Sequence, residues 1–248
     1  MSSSALSPRP DQIAELTRGL ALPLPAIDGV YLQLIAEGIV QAFQDIGASQ
    51  TSTVATGDEA EVTALLVARL NRMIEEDQIW RQLVSSVVRG AESLNYNGAH
   101  LEKRPDMSIH LSARAIRFPL IAEAKIIDAT RGEHLYCSQG LIRFLDGQYG
   151  WGSREAFMIA YVRDGTNISG RLKPYLAQAG HAASYALQSA LSNHPIDGCD
   201  AAQSDHGRSF TYTHTQPPAN NPGGIAIWHL WLNASPPTMT VTTSATMP

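Results

Sequence analysis

The sequence predicts an α/β domain in which a mixed sheet is flanked by helices and preceded by a helical extension. Three observations carry that prediction. Apolar residues recur at helical spacing early in the chain, most clearly in EAEVTALLVARLNRMIEE, where Val62, Leu66, Leu70 and Met73 form one stripe. From residue 107 the period becomes that of strands: MSIHLSAR alternates, and FPLIAEAKIID is a short Ile-rich run such as a buried strand needs. Helix and strand patterns then alternate to about residue 234, the order of a mixed α/β sheet.

Taken in order, residues 1–28 are Ser- and Pro-rich and read as an arm or a brief helix stopped by Pro23 and Pro25. A helix is expected from Gly29, with Leu32, Ile35, Ile39 and Phe43 on one face and an end near Gly47. SQTSTVATGD reads as a polar loop, with Asp58 the N-cap of the strongly amphipathic helix that follows. DQIWRQLVSSVVRGAESL reads as one more helix and NYNGAHLEKRPD as a loop. Two strands come next, then a helix over LYCSQGLIRFLDG ending at Gly147. AFMIAYVRDG is a third strand turned at Asp164-Gly165, and LKPYLAQAGHAASYALQSALSN is a last helix. Residues 195–223 read as loop-rich, GIAIWHLWLNA as the final strand, and residues 235–248 as a frayed tail. The expected organisation is therefore an arm (1–28), a single domain (29–234) and a tail (235–248).

Composition narrows the class. With 44% hydrophobic and 17% charged residues over 248 positions, the chain can bury a core and is neither collagen-like nor disordered. No run approaches the roughly 18 apolar residues of a membrane span, and the start lacks a secretory layout, so a cytoplasmic protein without a membrane partner is expected. Cys137 and Cys199 cannot frame a fold of this size, which agrees with a reducing compartment. The net charge of −5 gives no global nucleic-acid footprint, although residues 131–173 carry six Lys and Arg against four Asp and Glu. Lysine occurs only at 103, 125 and 173, so each position matters.

One of the three lies in the chemistry-bearing stretch. Asp106 follows Pro105 at the entrance to the first strand, and Glu123 and Lys125 stand two apart in the second. Residues i and i+2 of a strand share a face, so Glu123 and Lys125 point the same way. Charges in the middle of LIAEAKII are costly unless paired or bound to something. If the two strands form a hairpin, Asp106 reaches the Glu123 end of the sheet. Two carboxylates and a backbone carbonyl then make an oxygen-rich site suited to Mg²⁺ or Mn²⁺.

Pro105-Asp106, sixteen residues, then Glu123-Ala124-Lys125 resembles the signature of the PD-(D/E)xK nucleases, whose restriction-endonuclease-like core runs α-β-β-β-α-β. The resemblance covers residues 59 to about 232. It implies metal-dependent hydrolysis of phosphodiester bonds in DNA, with RNA remaining open as a substrate. Asp106, Glu123 and the Ala124 carbonyl would hold the metal, and Lys125 would orient the attacking water and stabilise developing charge. It also implies a glutamate on the first core helix. Glu59 shares a face with Val62 and Leu66 and is preferred to Glu61, while either could simply complement the helix dipole. On the helix after the second strand, Gln139 and Arg143 lie one turn apart facing the cleft, Arg143 as a phosphate clamp or as a partner of Asp146.

Nucleases of this style serve in bacterial restriction or anti-phage defence. With no separate sequence-reading module apparent, a protein partner or homo-oligomer is expected to target and control the activity. Two other readings stand beside this one: an inactive nuclease-fold subunit for nucleic-acid binding or assembly, with Lys125 in an inert ion pair, and an unrelated interaction protein. His206, His214 and His229 match no zinc spacing, His229 reads as a hydrogen-bonded strand residue, and Cys137 reads as a buried one.

Overall fold

The computed structural model describes residues 10–92, 94–98, 104–213 and 221–235. Helices α1 (Pro10–Thr17), α2 (Gly29–Ser49), α3 (Thr51–Thr56), α4 (Glu59–Glu76) and α5 (Gln78–Leu83) precede strands β1 (Val84–Arg89), β2 (Met107–Leu111) and β3 (Leu120–Ile127). A helical stretch follows, consisting of α6 (Glu133–Tyr136), a π-helical turn (Cys137–Leu141) and α7 (Ile142–Leu145). Strand β4 (Glu155–Val162) is followed by a second π turn (Ile168–Leu172), α8 (Lys173–Ala177) and α9 (Ala179–Ser184). Strands β5 (Ser192–Ile196), β6 (Cys199–His206) and β7 (Ile225–Asn233) complete the described fold.

Among the described residues the seven strands form one mixed sheet in the order β1-β2-β3-β4-β7-β6-β5. β3, β4 and β7 are parallel, and the remaining neighbours are antiparallel. The central strands β3 and β4 are buried at all eight positions each, because helices cover both faces. Ala122, Ala124 and Ile126 face the core built by α2 and α4, while Ile121 and Ile127 face the one built by α6, α7 and α8. Leu66 and Leu70 on α4 are fully buried in the first core, worth roughly 2–3 kcal/mol each. A third, smaller cluster joins Ile13, Leu22 and Leu24 to Phe118, Trp151 and Phe210, so the described part of the expected arm is packed onto the domain. No helix among the described residues is long and apolar enough to cross a membrane.

Several expected elements are corrected. The helix expected over 77–94 stops at Leu83, and the chain runs into β1, where Ser86, Val87 and Val88 pair with β2 after a bulge at Ser85. Adjacent β-branched residues suit a pleated strand better than a helical turn. Residues 51–56, expected as loop, form α3 around the buried Val54. The long helix expected over 172–193 breaks at Gln178, which is extended, and ends at Tyr185 before Ala186 adopts a positive φ of 46°. Residues 195–223, expected to be loop-rich with no strand, contain most of the β5–β6 hairpin, turned by Asp197 and Gly198 with Gly198 at φ 78°. α1 ends beside Gly19, at φ 73°, rather than at the prolines. The expected tail is described only at Ser235, and His214 and Lys103 lie outside the described residues.

Candidate active site

The site forms where β2 and β3 part. β2 pairs with β3 only from Ile109↔Leu120 to Met107↔Ala122, so β3 has no β2 partner from Glu123 onward. Unpaired strand N–H groups need acceptors, and carboxylates supply them. Asp106 Oδ2 accepts from the Ala124 amide at 2.8 Å, and Glu59 Oε2 accepts from the Ile126 amide at 3.3 Å. Both acids are held by substituting for a missing strand. The Asp106 amide in turn donates to Glu123 Oε2 at 3.4 Å.

Glu59 is aimed by the start of α4. Asp58 and Glu61 form a reciprocal capping box, with Glu61 N to Asp58 Oδ1 at 2.7 Å and Asp58 N to Glu61 Oε2 at 2.8 Å. Glu61 is thereby occupied at the helix terminus, and its neighbour Glu59 faces the sheet.

Lys125 stands at the centre. Its Nζ donates to the Ala124 carbonyl at 2.5 Å, to Glu59 Oε1 at 2.9 Å and to Glu123 Oε1 at 3.0 Å, with Asp106 Oδ2 3.6 Å away. Burial works against its ammonium, but Glu123, Asp106 and Glu59 outweigh that and raise its pKa. Glu123 is only 1% exposed. Burial first and the Asp106 charge second push its carboxyl up to about 7, despite the opposing pull of Lys125 and Arg143. With all three acids ionised, the two cations leave the cluster one positive charge short.

Arg143 arrives from the far side. Its Nη1 donates to Glu123 Oε1 at 2.5 Å and to the Tyr149 hydroxyl at 3.3 Å. The π turn matters here, since its extra residue per turn brings Gly140 against β3. A Cβ on Gly140 would lie 2.5 Å from Met158 Cε and 3.6 Å from Glu123 Cγ, so a side chain there would have to displace the end of Met158. Asp146, the alternative partner considered for Arg143, instead accepts from the Gln148 amide and side chain. Gln139 is exposed on the π turn and, among the described residues, makes no hydrogen bond to the cluster.

The structure thus brings together Asp106, Glu123, Ala124, Lys125, Glu59 and Arg143. Tyr149 was missed, and the sequence carried no signal for it beyond an aromatic close behind the Arg143 helix. His206 and His229 are fully buried and hydrogen-bonded through Ser204, with His229 also bonded to Tyr136. Cys137 is buried, and burial pushes its thiol far above the ordinary range.

The donor set fits a hard divalent cation: every atom offered is oxygen, two from acidic side chains and one from a backbone carbonyl. Among the described residues no three His, Cys, Asp and Glu side chains converge into a ready-made cage, and the Lys125 ammonium stands between the acids that would form one. Comparison of the chain with family models, with curated proteins and with solved structures returned no match.

Proposed function

We propose that this protein is a metal-dependent nuclease that hydrolyses phosphodiester bonds in DNA. The observation that carries the proposal is the convergence of Asp106, Glu123, the Ala124 carbonyl and Lys125 where β2 and β3 part. Chain order supports it, since α4, β1, β2, β3, the α6–α7 stretch and β4 read α-β-β-β-α-β, the arrangement of the restriction-endonuclease-like core. In that order β1 stands as the first of the three strands.

Asp106, Glu123 and the Ala124 carbonyl would hold Mg²⁺ or Mn²⁺, which activates water and offsets phosphate charge when bound. Lys125, drawn off the oxygens, would present its Nζ to the attacking water or a phosphoryl oxygen. Glu59 keeps that ammonium within reach and charged. Arg143, with one guanidinium nitrogen on Glu123, would turn its remaining donors to a phosphate. Restriction or anti-phage defence, with a partner or oligomer controlling cleavage, is the setting that goes with this reading.

One observation favours a second reading. Lys125 already bonds three oxygens of the cluster, as in a closed ion-pair network, and such a network serves equally in an inactive binding or assembly subunit. Plasmid and oligonucleotide cleavage in Mg²⁺ or Mn²⁺ separates the two. The nuclease reading requires activity that EDTA abolishes and that Asp106→Ala removes from a folded protein. Equal cleavage by wild type and Asp106→Ala, or none on DNA or RNA, rejects it.

A further inference from the structure

A cleft of about 570 Å³ is lined by residues that adjoin the carboxylate cluster. Pro105, which leads into Asp106, and Ile121, on the same face of β3 as Glu123, both line it. So does Tyr149, whose hydroxyl accepts from the Arg143 nitrogen that also bonds Glu123. Phe118 and Trp151, packed edge to face with ring centres 5.0 Å apart, form another wall. Ser108 adds a hydroxyl, and Ile116 stands at the rim, 71% exposed. α1 contributes Leu16, and Arg117 pins that helix by donating to the carbonyls of Glu15, Leu16 and Arg18 at 2.9, 2.9 and 3.1 Å.

We propose that this cleft holds one nucleobase of an unpaired strand, the base adjoining the phosphate engaged by Arg143. The inference rests on the nuclease reading and names its substrate class. A nucleobase has flat apolar faces and a polar edge, which match aromatic and aliphatic walls interrupted by hydrogen-bonding side chains such as Ser108, His110 and Gln148. The volume suits one small ligand and excludes a stacked duplex. A base must leave its stack to enter, so the preferred substrate is single-stranded or a duplex distorted enough to release a base. The N-terminal helix then has a role, since it supplies part of the base-binding wall.

Binding of fluorescent oligonucleotides to the full chain, with Ca²⁺ in place of Mg²⁺, tests this. The probes are a short oligothymidylate, a fully abasic strand of equal length and a duplex. The oligothymidylate should bind at least about tenfold tighter than the abasic strand, and tighter than the duplex. Ile116→Asp, on an exposed side chain, should reduce that difference to about twofold or less. Ile79→Asp, at an equally apolar and exposed position on α5 outside the cleft, should leave it unchanged. An abasic strand that binds as tightly, or a difference that survives Ile116→Asp, overturns the proposal. Cleavage of the same probes in Mg²⁺ separates the two ideas. Cutting without base dependence rejects the cleft and keeps the nuclease, base-dependent binding without cutting does the reverse, and neither binding nor cutting rejects both.

Discussion

Replacing Lys125 by Met should tighten divalent-metal binding while ending cleavage. The ammonium holds three oxygens at 2.5, 2.9 and 3.0 Å, and two of these, the Ala124 carbonyl and Glu123 Oε1, belong to the proposed metal ligands. A cation entering the site must break those bonds. Each charge-assisted bond is worth about 1.5–3 kcal/mol, and the displaced ammonium recovers part of that from water and from Glu59. A net loss of one bond corresponds to roughly a 10- to 150-fold weakening of metal affinity in the wild type. Methionine has a similar length and no charge, so the variant should bind Mn²⁺ tighter by about that factor in calorimetry. Without metal the variant should be less stable by about 3–5 kcal/mol, because buried Glu123 keeps only Arg143 as a cationic partner. Mn²⁺ should therefore raise its melting temperature more than that of the wild type. Unchanged or weaker Mn²⁺ binding by a folded Lys125→Met protein would refute the shared-cage reasoning.

Other outcomes follow from the same geometry. Glu61→Ala should cost roughly 0.5–1 kcal/mol through loss of the capping box and leave cleavage intact, whereas Glu59→Gln should lower cleavage; denaturation and turnover measured side by side check this. His229 is held neutral, burial first and His206 second lowering its pKa to about 3. Its neutral form therefore contributes full stability above the unfolded value of about 6.5, and that contribution is lost as pH falls toward 3. Urea denaturation at pH 7, 6 and 5 should show the wild type losing stability relative to His229→Gln by up to about 1.4 kcal/mol per unit once below 6.5, the comparison cancelling the opposite trend that the raised Glu123 carboxyl gives both proteins, and a difference that does not change with pH would contradict it. Arg114 and Glu155 form a buried pair at 3.6 Å, with all three Arg114 side-chain nitrogens and Glu155 Oε2 lacking hydrogen-bond partners. Glu155→Leu alone should cost about 3–5 kcal/mol, and Arg114→Met with Glu155→Leu should recover most of it in thermal denaturation.

Legibility varied with how local the cause was. α4 was readable to its cap, because a stripe at Val62, Leu66 and Leu70 behind Asp58 is set by helical geometry alone. β3 and β4 were equally plain, as continuous apolar runs. The β5–β6 hairpin carried a signal that was passed over. Asp197-Gly198 is a two-residue hairpin turn, but flanking strands such as CDAAQSDH are too polar to advertise a buried face. β1 was lost because Ile79, Leu83 and Val87 mimic helical spacing across the α5–β1 boundary, and only pairing with β2 decides that Val84 onward is extended.

The sequence by itself determined the ingredients: an α/β chain, two acids and a lysine at the spacing of one strand pair, and a second cation on the following helix. These depend on side-chain period and on neighbours a few residues apart, which the backbone converts directly into faces. Only the tertiary structure decided how they act together. Because β2 starts only at Met107, opposite Ala122, the Ala124 and Ile126 amides are left free of it and hold Asp106 and Glu59. Lys125 meets Glu59 across 66 residues of chain, and Arg143 reaches Glu123 across 20. Such contacts depend on strand register and helix packing, which arise from burying the two cores as wholes and are written in no single stretch of sequence.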